Sequence, residues 1–65
     1  MKISGSKLRT ARLKTGIERS ELAEVADLTV ARIWQIEMSN EVNVNANVLN
    51  AMAERLGTTA DELAA

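Results

Sequence analysis

Residues 19–38 read RSELAEVADLTVARIWQIEM, and this stretch decides the fold. Helix formers dominate it, and its apolar residues recur at helical spacing, which predicts helices over residues 19–26 and 30–38. The residues expected to face inward are Leu22, Ala23 and Ala26 in the first helix and Ile33 and Ile36 in the second. Thr29 stands where its hydroxyl can cap the second helix.

Only a short turn, Asp27 and Leu28, separates these two helices. Helices that cross steeply around so tight a corner need a small residue at the crossing, a turn residue that tolerates a left-handed backbone, and an apolar anchor after the turn. Ala23, Asp27 and Ile33 supply these in order. The spacing therefore predicts a helix-turn-helix over residues 19–38.

Three more helices are predicted, one before this pair and two after it. Their N-terminal caps are expected at Ser6, Asn45 and Thr59, the last as part of a capping box. Their ends are expected near Thr15, at Leu56 and at the C-terminus, with Gly5 before the first helix and Gly16 and Gly57 after helix ends. The chain is thus predicted to be a single all-α domain over residues 1–65, a compact five-helix bundle.

One segment also fits a different structure. Residues 42–48 alternate apolar and polar side chains strictly, which is typical of a strand, and such an edge strand could pair with a second chain. The loop and helix prediction is favoured because Val48 begins a helical run of apolar residues and the asparagines suit a loop and a cap.

The composition argues against an enzyme. The chain has no cysteine and no histidine, and its only aromatic residue is Trp34. Disulfides and thiolate metal sites are therefore excluded, and no nucleophile, general base or metal-ligand cluster is assembled. We expect no cofactor and no metal. No apolar run approaches the length of a membrane span, which predicts a cytoplasmic protein without a membrane partner.

The charge is unevenly distributed, although the net charge is only −1. Residues 1–19 contain six bases and one acid, whereas residues 20–65 contain two bases and eight acids. Such a chain can present a basic face to a polyanion while its far side is acidic, but small domains often show this imbalance by chance.

Several stretches together resemble the Cro/repressor (XRE-type) DNA-binding domains of phages and bacteria. They are LRTARLKTGI at residues 8–17, ELA at 21–23, DLT at 27–29, IWQIE at 33–37, and MAERLG with TADEL at 52–57 and 59–63. The resemblance covers roughly residues 6–64 and implies a lambda-repressor-like fold. It implies a sequence-specific DNA-binding transcriptional regulator, a Cro-type repressor that acts by promoter occlusion.

The resemblance also implies roles for matching positions. Arg12 and Glu37 match a pair that forms a buried salt bridge between the first and third helices. Arg19 stands where members usually carry a glutamine that grips a backbone phosphate, which an arginine fork can also do. Thr29 is implied as cap and phosphate contact, and Arg32 lies near the DNA backbone.

The third helix is expected to enter the major groove of operator DNA. Its candidate base readers are Val30, Ala31, Gln35 and Trp34. Gln35 can bond adenine through two hydrogen bonds, and Val30 and Ala31 suit thymine methyl groups. Trp34 projects outward or sideways, where it could cover the core, meet DNA or anchor a protein partner.

The sequence departs from the family pattern at two positions and in one loop. Asp27 replaces a turn glycine, and Glu18 replaces the serine that usually caps the second helix. The loop over residues 39–45 has one acid and no base, so few phosphates are neutralised and a monomer should bind DNA weakly. A homodimer on a two-fold operator is therefore expected.

Two elements are candidate dimer surfaces: Val42 with Val44, and the last helix with Leu63.

An alternative function is a protein-interaction module on the same fold, an anti-repressor or adaptor that binds a regulator protein. Its contacts would come from Val30, Trp34, Met38 and Glu41.

Overall fold

The computed structural model describes residues 1–65 and contains five helices and one small sheet. The helices are α1 (Gly5–Thr15), α2 (Arg19–Ala26), α3 (Val30–Met38), α4 (Ala46–Arg55) and α5 (Ala60–Leu63). The strands are β1 (Lys2–Ile3) and β2 (Val42–Asn43). The predicted five-helix architecture is confirmed, with a sheet added to it. No helix combines the length and the hydropathy needed to cross a membrane.

The turn between α2 and α3 forms as the sequence predicts. Asp27 adopts a left-handed backbone at φ 55°, and the Leu28 N–H donates to the Ala23 carbonyl oxygen at 2.9 Å. Thr29 caps α3, since its hydroxyl oxygen accepts a hydrogen bond from the Arg32 N–H at 3.1 Å. Each of these contacts joins residues close in sequence, so local chemistry sets the turn.

The caps of the last two helices are also those predicted. Asn45 Oδ1 accepts a hydrogen bond from the Asn47 N–H at 2.8 Å. Thr59 Oγ1 accepts one from the Glu62 N–H at 3.3 Å. These bonds satisfy backbone donors that the first turn of a helix leaves without a partner.

The predicted start of α1 is wrong. The cap is Ser4 rather than Ser6, and Gly5 is the first residue of the helix rather than a residue before it. Gly5 is buried against the end of α3, where a Cβ atom would overlap the carbonyl oxygens of Ile36 and Ser39. Tertiary packing therefore explains this glycine, since α1 can approach α3 so closely only where no side chain intervenes.

The N-terminal residues form a strand that the sequence did not indicate. β1 pairs antiparallel with β2, with Ile3 opposite Val42. Next to this pair, the Val44 N–H donates to the Met1 carbonyl oxygen at 2.8 Å. On the other side of β1, Ile3 forms a bridge with Ala64. The N-terminal segment thus joins the loop after α3 to the C-terminal residues.

The structure restricts two alternatives that the sequence allowed for this region. The alternative strand over residues 42–48 is limited to two residues and pairs within the chain, because Asn45 already caps α4. Two of the three side chains proposed for dimer surfaces are buried: the exposed fraction is 7% for Val44 and 1% for Leu63, whereas Val42 is partly exposed and packs against the core. The burial of Val44 and Leu63 in the chain's own core leaves these two side chains unavailable to a second subunit.

The core lies between the helices and is closed by β1. Its largest fully buried side chains are Ile3, Leu8, Leu22, Ile33, Ile36, Leu49, Met52 and Leu63. The predicted inward faces of α2 and α3 are confirmed. The core therefore holds the helix-turn-helix from behind and leaves the opposite face of α3 in solvent.

We predict that Gly5→Ala destabilises the protein by about 3 kcal/mol, the upper end of the usual cost of overpacking. The added Cβ would meet rigid backbone oxygens, including the Glu37 carbonyl oxygen at 2.9 Å, so α1 and α3 would have to separate. Urea denaturation measures the change. The matched control is Ser6→Ala on the exposed side of the same turn, and equal stabilities of the two variants would contradict the prediction.

Candidate nucleic-acid interface

The predicted base-reading residues lie together on the solvent side of α3. Ile33 and Ile36 hold the other side against the core, with exposed fractions of 0% and 1%. The exposed residues of α3 are Val30, Ala31, Arg32, Trp34, Gln35 and Met38. Helical periodicity places Gln35 near the centre of this face and Arg32 on one flank. The structure therefore gathers the five predicted α3 site residues on one surface.

Met38 belongs to the same surface, although it was not among the predicted DNA-contacting residues. Val30, Trp34 and Met38 follow one another at intervals of four residues, so they form a continuous apolar stripe along one side of α3. Their exposed fractions are 48%, 51% and 62%. The four-residue spacing is the signal in the sequence that could have added Met38 to the set.

Behind this surface lies a buried ion pair between α1 and α3. Arg12 Nε donates to Glu37 Oε2 at 2.5 Å, and Arg12 Nη2 donates to Glu37 Oε1 at 3.1 Å. Arg12 Nη1 donates to the Ile17 carbonyl oxygen at 3.0 Å. The salt bridge implied by the family resemblance is therefore present, and it also holds the segment that leads into α2.

Arg19 contacts the same carboxylate, and this contact was not among those predicted from the sequence. Its Nε donates to Glu37 Oε1 at 3.0 Å, and its side chain is 33% exposed. The sequence did contain a signal for this contact. Position 19 carries an arginine where family members usually carry a glutamine, at the junction where Arg12 and Glu37 were expected to pair. Arg19 is thus fixed at the start of α2, beside the apolar stripe.

Thr29 keeps one hydrogen-bonding function available for a ligand. Its hydroxyl oxygen accepts the Arg32 N–H, and a hydroxyl that accepts can still donate its own proton. Thr29 is exposed at the N-terminus of α3. The cap and the expected phosphate contact are therefore chemically compatible.

The surroundings of α3 are poor in free bases. The loop after it carries exposed Glu41, and exposed Glu18 at the start of α2 makes no side-chain cap bond. Exposed bases on α1 are Lys7, Arg9 and Lys14, of which Lys7 donates to the Ala64 carbonyl oxygen at 2.9 Å. Few cations therefore adjoin the exposed face of α3.

Neither surface groove is part of this face. The larger, of about 540 Å³, runs between α1 and the turn that joins α4 to α5, and none of its lining residues belongs to α3. The described side chains form no cluster of three or more potential metal ligands.

The model of the family described as "Helix-turn-helix domain" matches residues 5–65. The chain therefore belongs to the helix-turn-helix domain family. Residues 1–4, which include β1, lie outside the match.

Among solved structures, the chain is similar to that of the clp gene regulator ClgR from Corynebacterium glutamicum, with a TM-score of 0.79 and 24% identity. The similarity covers 89% of this chain and 61% of that regulator, so it extends over less than two thirds of the regulator's length. At this identity the likeness establishes the fold. No curated protein matches the sequence.

We predict that Arg12→Met destabilises the protein by about 3 kcal/mol, because it leaves a buried carboxylate with only its contact to Arg19. The matched control is Arg55→Met, which removes an ion pair with Glu21 of similar length, 2.9 Å, on side chains that are 45% and 50% exposed. The control should cost less than about 1 kcal/mol. Thermal or urea denaturation measures the free energy of unfolding of both variants. Equal losses of this free energy in Arg12→Met and Arg55→Met would contradict the prediction.

Proposed function

We propose that this protein is a sequence-specific regulator of transcription that binds double-stranded DNA with α3 in the major groove. The observation that carries the proposal is the charge of the exposed α3 face. The chain has nine acids, yet none is exposed on α3, since Glu37 is buried. Arg19 and Arg32 flank the face on opposite sides, so a duplex can approach without an opposing carboxylate from this helix.

We assign each side chain of this face to the part of the DNA that its chemistry fits. Gln35 bonds an adenine edge, while Val30 and Ala31 contact thymine methyl groups. Arg19, Thr29 and Arg32 contact the DNA backbone, which fixes the register of α3 in the groove. Trp34 belongs to the same DNA-facing surface, where its ring can pack against the groove wall.

We further propose a homodimer on operator DNA, with α3 of each subunit in half-sites about 34 Å apart. The small number of bases near α3 supports this, because two subunits double the phosphate contacts. The subunit contact must use exposed residues, since Val44 and Leu63 are in the core. The regulator would act as a Cro-type repressor of a phage or bacterium, occluding a promoter in the cytoplasm.

One observation favours a second candidate function. The apolar stripe of Val30, Trp34 and Met38 is unusually hydrophobic for a DNA-contacting surface. It suits a protein-interaction module, an anti-repressor or adaptor in which Trp34 anchors a regulator protein. The two functions differ in how strongly the binding affinity depends on salt concentration.

The deciding experiment is a salt titration of binding to random duplexes and to duplexes selected from a random library. We expect selected duplexes to bind more tightly, with log K falling by about 0.9 per log unit of salt for each phosphate neutralised. Fluorescence anisotropy of labelled duplexes measures both quantities. Absent or salt-insensitive binding would overturn the DNA proposal and favour the protein-interaction module.

On a selected duplex, we predict that Gln35→Ala and Arg19→Ala have different effects. Gln35→Ala should relax the preference at one base pair, by about 1–3 kcal/mol, because it removes a base contact. Arg19→Ala should weaken binding to all sequences alike, because it removes a backbone contact. Affinities for a set of single-base-pair variants measure the difference. A change of base preference in Arg19→Ala alone would show that α3 is docked differently.

A further inference from the structure

A single buried carboxylate binds two arginines at the junction of α1, α2 and α3. Glu37, whose side chain has no exposed surface, receives Arg12 Nε on Oε2 and both Arg12 Nη2 and Arg19 Nε on Oε1. Arg12 is almost fully buried, whereas a third of the Arg19 side chain is exposed. The cluster of three therefore contains two positive charges and one negative charge, and the excess positive charge lies on its solvent side.

The hydrogen bonds also orient the Arg19 guanidinium. Its Nε edge is turned inward to Glu37, and its two Nη atoms make no hydrogen bond within the protein. An arginine can bond different groups through its two edges, because its donors are arranged in a rigid planar fork. The inner edge of Arg19 is thus occupied, and the outer edge is free for a ligand.

We propose that Glu37 is a positioning residue for Arg19, which it holds as a preorganised fork for the two free oxygens of one DNA phosphodiester. This inference rests on the proposed function and goes beyond the Arg12–Glu37 salt bridge. Ordering a long side chain opposes binding, and here the ordering is completed when the protein folds. Exposed Arg9 and Arg32 have no such anchor. The phosphate charge then compensates the excess charge of the cluster.

The first test uses the free protein. Nitrogen-15 relaxation of the arginine side chains should show the Arg12 and Arg19 Nε–H groups to be rigid and those of Arg9 and Arg32 to be mobile. In Glu37→Gln, the Arg19 Nε–H should become mobile while the backbone amide spectrum stays folded. An Arg19 Nε–H as mobile as that of Arg9 in the unmutated protein would overturn the proposal.

The second test separates position from charge in DNA binding. In Arg19→Lys the charge remains, but the ammonium group lacks the rigid planar fork that bonds Glu37 through one edge and presents two parallel donors to a phosphate through the other. We expect affinity for a selected duplex to fall about tenfold while the salt dependence stays close to that of the unmutated protein. Unchanged affinity in Arg19→Lys would overturn the proposal.

The control is Arg55→Lys, an arginine that also pairs with a carboxylate but lies on α4 away from α3. Its affinity should be unchanged. If the Glu37→Gln variant does not fold, the affinity of Arg19→Lys for the selected duplex decides whether Glu37 positions Arg19. If the unmutated protein binds no duplex, the proposed function fails, and the relaxation data still decide whether Glu37 orders Arg19.

Discussion

The buried negative charge of Glu37 must be paired with positive charge, and the rest of the structure depends on this pairing. A carboxylate without solvent contact is tolerated only when cations and hydrogen-bond donors surround it, and Arg12 meets it with two parallel hydrogen bonds. Because Arg12 is on α1 and Glu37 is on α3, this pair fixes α3 relative to the rest of the domain. The contact from Arg12 to the Ile17 carbonyl oxygen extends the same constraint to the start of α2.

A second contact between α1 and α3 lies at the C-terminal end of α3. Gly5 lets the first turn of α1 lie against the last carbonyl groups of α3, and β1 then crosses to the loop that follows. Ile3 is fully buried between that loop and the C-terminal residues. The N-terminal segment outside the family match therefore links the α3–α4 connection to the C-terminal residues.

These constraints leave an exposed α3 face of unusual composition. The outward face of α3 is mostly apolar, with Gln35 as its single amide and no exposed acid. The excess positive charge at Arg19 lies beside it, whereas the loop after α3 adds none. In the proposed binding to DNA, such a surface would gain specificity from shape and methyl contacts and would rely on a few well-placed cations for affinity. In that proposal, the positioning of the cations matters more than their number.

The sequence by itself determined the helix-turn-helix, the caps of α3, α4 and α5, and the inward faces of α2 and α3. These features depend on side chains that act on neighbouring backbone or recur at helical spacing. Tertiary structure alone decided the close approach of Gly5 to α3, the β1–β2 pairing, the burial of Val44 and Leu63, and the second arginine on Glu37. Each of these joins residues distant in sequence through side-chain or backbone contacts, and no local pattern encodes which distant partners meet.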